Sequence, residues 1–169
     1  VPIGPMMSGR AWFELRVSDF ENIAEGKIPD IPLRHQEEVT MNKVVEWLNH
    51  LGKLYKNVIF GGFSQGAILS SHCFYRLNFS PKGMLLMSGF MVSPSSFPTL
   101  PDELKIPFFQ SHGSRDEVLK VSGAKMLFER LQNLGMAGTW REFNGGHEIP
   151  MNIIADSQIF LNSLLDFEE

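Results

Sequence analysis

Cysteine is nearly absent. Cys73 is the one thiol in 169 residues, so no intramolecular disulfide can form. That suits a reducing, cytoplasmic setting, since disulfide frameworks belong to oxidising compartments. Its surroundings, SSHCFYRL, read as a helix, where a lone cysteine is a small buried apolar group rather than a reactive thiol. Paired His and Cys at ligand spacing are missing, so no metal is expected, and no cofactor is called for. No Lys/Arg cluster interrupts a net charge of -4, which removes the electrostatic footprint of a nucleic-acid binder. No apolar run reaches the length of a membrane span. The opening VPIGPMMSGR lacks a basic segment followed by an apolar stretch, so it does not read as a signal peptide. Internal repeats and low-complexity tracts are missing too.

What remains is an ordinary soluble composition, 43% hydrophobic and 20% charged, enough for one domain over residues 1–169. Elements alternate along it. RAWFELRV (10–17) reads as extended. Residues 35–56 turn helical, with Met41, Val44, Val45, Leu48 and Leu51 on one apolar face. NVIFGG is a short buried strand, followed by the helix FSQGAILSSHCFYRL. KGMLLMSGF (82–90) is a continuous apolar run, the mark of a strand covered on both faces. VSPSSFPTLPDELK must be loop or lid. IPFFQSHG is a strand, KVSGAKMLFERLQNLG a helix closed by Gly135, and GTWREFNGG a further strand. The last helix runs over about 149–167, with Ile153, Ile154, Ile159, Phe160, Leu164 and Leu165 largely on one side. Strand and helix in alternation predict an α/β fold, a mainly parallel sheet with helices on both faces.

One pentapeptide carries chemistry, Gly62-Phe63-Ser64-Gln65-Gly66. Alone it is a weak signal; its setting between a buried strand and a helix strengthens it. There Ser64 would sit in a strained strand-to-helix turn, presented above the C-terminal sheet edge where open α/β sheets place their sites. A serine needs a base. His35 and His50 read as surface residues of the first helix, and His72 lies too far along the next one to reach back. His112, before Gly113 at a strand end, reads as loop-positioning. His147 hangs beyond the Gly145-Gly146 pair after a strand and is the candidate base. The acid should fall between them. Asp116 follows the strand IPFFQ and is preferred to its neighbour Glu117. Asp102 and Glu103 lack a preceding strand, and Glu129 reads as a solvated helix face. Asp116 would fix the His147 tautomer and stabilise the imidazolium.

GGFSQGA, SHGSRDEVL and GGHEI together resemble the phospholipase/carboxylesterase family of α/β-hydrolases, which includes acyl-protein thioesterases. RAWFELR and LLMSGF are similar to further segments of that family, so the resemblance runs nearly end to end. It implies a serine hydrolase of carboxylic esters or thioesters with the triad on Ser64, Asp116 and His147. The Gln65 backbone N–H would be one oxyanion donor. Phe90 and Met91 would border the acyl pocket, although core packing is the competing reading. The substrate would be a small or lipid ester or thioester, or an acylated protein.

One departure stands out. Family members begin with strands and a loop that supplies the second oxyanion donor; that donor is expected upstream of Val1, and the opening strands of the fold are not found in this sequence. Loss of one such donor costs about 10² to 10³ in turnover. An unpaired first strand is also an association hazard, which makes a homodimer a candidate assembly. Two alternatives stay open. Another triad hydrolase, such as a peptidase, would carry a recognition domain, and a dienelactone-type lactone hydrolase would have Cys at the elbow. A catalytically inactive binding module rests on the missing opening strands alone.

Overall fold

In the computed structural model, residues 11–13, 35–92, 98–100 and 102–165 are described. Helix α1 (His35–Leu54) leads into β1 (Ile59–Phe63) and α2 (Gln65–Cys73), which tightens into a 3₁₀ turn at Phe74–Arg76. Then come β2 (Gly83–Met87), a 3₁₀ turn at Asp102–Leu104, β3 (Phe108–Gly113), α3 (Val121–Asn133), β4 (Gly138–Phe143) and α4 (Met151–Leu164). The four strands pair in parallel in the order β1-β2-β3-β4.

Alternating side chains build a core on each face of this sheet. Met84, Leu86 and Phe108 point one way, toward Ala67 of α2 and Leu127 and Leu131 of α3. Leu85, Phe109 and Phe143 point the other way, toward Ile153 and Phe160 of α4. Apolar residues on both faces explain why β2 and β3 read as continuous runs rather than alternating ones. Helix α1 packs on α2 through Met41 and Leu48, with Val44, Val45 and Leu51 half-buried beside them, as its spacing predicts. Helix α3 ends on Gly135, whose φ of +90° suits glycine. The Gly135 and Met136 N–H groups donate to Gln132 and Leu131, closing the helix end.

Some expectations need correction. In α4 the buried stripe is Ile153, Ser157 and Phe160, whereas Ile154 and Ile159 are exposed. A spacing of four then three keeps one helical face; Ile154 and Ile159 fall off it. Of the extended segment 10–17, only 11–13 are described, and they form a bend rather than a strand. Its remainder, and residues 93–97 of the Pro/Ser-rich stretch, lie outside the described residues. Among the described residues no helix is long and apolar enough to cross a membrane.

His72, on the buried side of α2, makes stability depend on pH. Burial pushes its imidazole down from 6.5 to about 4, although a hydrogen bond to the Val92 backbone pulls upward. Between those values the unfolded chain binds a proton that the folded chain refuses. Stability should therefore be full above pH 6.5 and fall as pH drops toward 4, by about 3 kcal/mol from this group. Urea unfolding at pH 7 and pH 4.5 reads the loss, and His72→Gln should shrink the difference. An equal difference in both proteins would refute this assignment.

Candidate active site

Ser64 occupies the junction of β1 and α2 with φ 55° and ψ -120°. Few residues other than glycine adopt such a backbone, which costs of the order of 1–3 kcal/mol. Neighbouring groups hold it there. The Ser64 N–H donates to the Met87 carbonyl at 2.8 Å, tying the turn to β2. The Ser64 carbonyl accepts from Ala67 and Ile68 at 3.0 and 3.1 Å, starting the helix. A Cβ on Gly62 would lie 2.4 Å from the Gly66 carbonyl carbon, so that glycine lets strand and helix close around the serine. The same Cβ on Gly66 would meet only the Trp12 indole at 3.9 Å, so the steric demand falls on Gly62.

Two further loops meet Ser64 at the C-terminal edge of the sheet. Asp116 lies in the turn after β3 and is 3% exposed. Its Oδ1 accepts the N–H groups of Val118 and Leu119 at 2.9 and 2.8 Å. Its Oδ2 lies 2.7 Å from Nδ1 of His147, in the loop after β4. Nε2 of His147 lies 2.8 Å from the Ser64 Oγ. A carboxylate can only accept, so Nδ1 carries the proton and Nε2 is free to accept from the hydroxyl. The loops are tied together: Ser114 N–H donates to the Phe143 carbonyl at 2.8 Å and Arg115 N–H to the Gly145 carbonyl at 2.9 Å. The separation of Asp116 and His147 is thus fixed by backbone as well as side chain.

The sequence candidates separate cleanly in space. Ser64, Asp116 and His147 come together. Glu117 and Glu129 are exposed, and Asp102 pairs with Lys105 in its 3₁₀ turn. His50 is exposed on α1, and the side chains of His35 and Glu103 lie outside the described residues. Phe90 and Met91 are a correction. They are 0% and 3% exposed and packed into core, Phe90 against Ile68 and Leu119, so neither offers a surface to a ligand. The apolar run simply continues into the core past the end of β2. Burial also pushes the Cys73 thiol up to about 12, which keeps it protonated and inert.

Sequence reasoning overlooked two features. The half-exposed Phe63 ring packs on the His147 imidazole, centroids 4.8 Å apart. The Gln65 side chain accepts the Trp12 N–H and donates to the Phe13 carbonyl, both at 2.7 Å. It fastens the 11–13 segment beside the elbow. These partners are 53 and 52 residues away from Gln65, beyond the reach of any local pattern.

A parallel sheet crossed by a strained strand-serine-helix turn, with an acid and a histidine on later strand ends in that order, defines an α/β-hydrolase fold. Residues 2–165 match the model of the Phospholipase/Carboxylesterase family, and the chain belongs to that family of hydrolases. It is 29% identical over 167 residues to an acyl-protein thioesterase 1 of Debaryomyces hansenii, covering 96% of this chain and 69% of that protein. It is 31% identical over 94 residues to acyl-protein thioesterase 1 homolog 1 of Dictyostelium discoideum, covering 54% of this chain and 42% of that protein. Among solved structures, SOBER1 of Arabidopsis thaliana superposes with a TM-score of 0.70 at 18% identity, over 93% of this chain and 75% of that one. The Bacillus cereus carboxylesterase gives 0.65 at 20% identity, over 75% of this chain and 61% of that one. At such identities these structures speak to the fold.

Proposed function

We propose that this chain is a serine hydrolase that cleaves carboxylic esters or thioesters through an acyl-enzyme. The observation that carries the reading is the unbroken relay Asp116–His147–Ser64, with contacts of 2.7 and 2.8 Å. Ser64 Oγ attacks the acyl carbonyl while His147 Nε2 takes its proton. Asp116 holds the ring in place and stabilises the imidazolium. The same proton then passes to the leaving alcohol or thiol, and water activated by His147 releases the acid. Negative charge on the tetrahedral oxygen falls beside the first turn of α2, whose leading N–H groups lack intrahelical partners. The Gln65 backbone N–H is the oxyanion donor in this reading. The substrate class follows the thioesterase relatives: an acyl group in ester or thioester linkage to a lipid, a small alcohol or a protein.

The test is a serine-directed fluorophosphonate. The expected result is one adduct, mapped to the peptide containing Ser64 and abolished by Ser64→Ala. Lack of labelling, or a label elsewhere, overturns the reading. Parallel assays on matched oxyesters and thioesters then choose between the two linkages.

A further inference from the structure

A second imidazole reaches the carboxylate that orients His147. His112 lies wholly buried in β3. Its Nε2 is 2.7 Å from the Leu119 carbonyl oxygen and 3.2 Å from Asp116 Oδ2, the oxygen already contacted by His147. Both neighbours only accept, so Nε2 must carry a proton. The opposite nitrogen, Nδ1, is buried with no hydrogen-bond partner among the described residues. A charged ring would put a second N–H there with nothing to receive it. Burial accordingly holds the His112 pKa below its ordinary value, although Leu119 and Asp116 pull upward. His147 adds a smaller downward push and Glu142 a smaller upward one. His112 is therefore a neutral donor.

Three N–H groups hydrogen-bond Asp116, Val118 and Leu119 on Oδ1 and His147 on Oδ2, and the His112 ring, whose own N–H goes to the Leu119 carbonyl, lies 3.2 Å from Oδ2. Two backbone donors fix one oxygen. His112 is the only side chain other than His147 on the second, among the described residues. Through Leu119 it also ties the far end of the Asp116 turn back to β3.

We propose that His112 is a positioning residue of this site, a neutral imidazole that anchors the Asp116 turn through the Leu119 carbonyl and sets its polar edge against Oδ2, keeping that oxygen aimed at His147. This rests on the triad reading above. Without the His112 ring the Leu119 carbonyl loses its donor, and Oδ2 is left with His147 alone beside it. Its charge then falls wholly on that ring, which favours the imidazolium in the resting enzyme, so the base is lost at higher pH. Orientation also loosens, which slows proton transfer. Substrate binding is untouched, because His112 is sealed beneath the carboxylate.

Two substitutions separate the roles. His112→Phe keeps the shape and removes the N–H; His112→Gln can return an amide N–H to the Leu119 carbonyl beside Asp116. His112→Phe should lower kcat about tenfold to a hundredfold, the scale of one buried carbonyl left without its donor. KM should stay within about twofold, and the acid limb of kcat/KM should move to higher pH. His112→Gln should restore most of both. The low-field proton resonance of the His147–Asp116 bond should shift in the Phe variant and return in the Gln variant. If His112→Phe does not fold, His112→Asn takes its place with the same expectations, since its shorter amide stops short of the Leu119 carbonyl. An unmoved acid limb and resonance, or equal impairment of the donor and non-donor variants, refutes the role. If phosphonate does not label Ser64 in the wild type, the triad itself fails. Labelled wild type with an unmoved His112→Phe profile removes only the positioning role.

Discussion

Ser64→Ala should lower turnover by of the order of 10⁴-fold or more, the scale on which a triad loses its nucleophile. His147 and Asp116 would remain in place, 2.7 Å apart, with no oxygen to activate. The companion substitution is more informative about the fold. At φ 55° and ψ -120° a serine or an alanine carries backbone strain that a glycine does not. Ser64→Gly removes the same hydroxyl and the same hydrogen bond as Ser64→Ala, so the two variants differ chiefly in strain. Glycine's extra freedom in the unfolded chain offsets about 0.5–1 kcal/mol of the relief. Ser64→Gly should therefore be more stable than Ser64→Ala by about 1 kcal/mol, while both are inactive. Urea midpoints of the two variants measure this. A glycine variant no more stable than the alanine one would mean that the elbow stores no strain.

Asp116→Asn should cost about 10⁴ in kcat with KM changed little. The amide oxygen can still accept from Val118 and Leu119, so the turn keeps its shape. The amide nitrogen then faces His147 Nδ1 and His112 Nε2. Against His147 it is a donor where an acceptor is needed. The ring answers by moving its proton to Nε2, which then points an N–H at the Ser64 oxygen and cannot serve as a base. Beside the His112 ring edge, 3.2 Å away, a positive amide N–H replaces a carboxylate oxygen, which adds a stability loss that asparagine at an exposed position would not cause. Steady-state kinetics on a small ester give the first effect, and thermal unfolding gives the second. A kcat within tenfold of the wild type would remove Asp116 from the relay and return Glu117 to consideration.

The two substitutions probe features that differ in how visible they are in the sequence. Ser64 is announced by local chemistry: Gly62 must be small where strand meets helix, and the apolar run Val58-Ile59-Phe60 marks the strand before it. Asp116 is announced only by its place after an apolar strand, a position that Glu117 shares within one residue. Burial separates them, because the turn folds Asp116 under the sheet edge and leaves Glu117 in water. Phe90 and Met91 show the opposite failure. Aromatic and thioether side chains after a strand suit a pocket wall and a core equally well, and composition does not distinguish the two. His112 read from the sequence as a residue that positions a loop, but its contact with Asp116 could not be read there.

The sequence by itself determined the alternation of elements, the parallel sheet and the order serine, acid, histidine. These follow from periodicity and from glycine at close approaches, both of which are local. Tertiary structure alone decided which oxygen faces which nitrogen. It set Ser64 and His147 at 2.8 Å although they are 83 residues apart, put Phe63 on the imidazole, and brought His112 to the same carboxylate. The physical reason is that such contacts depend on the register of β1, β3 and β4 and on the backbone bonds joining their loops. A shift of one residue in any strand turns its side chains to the other face. No stretch of a few residues contains that information.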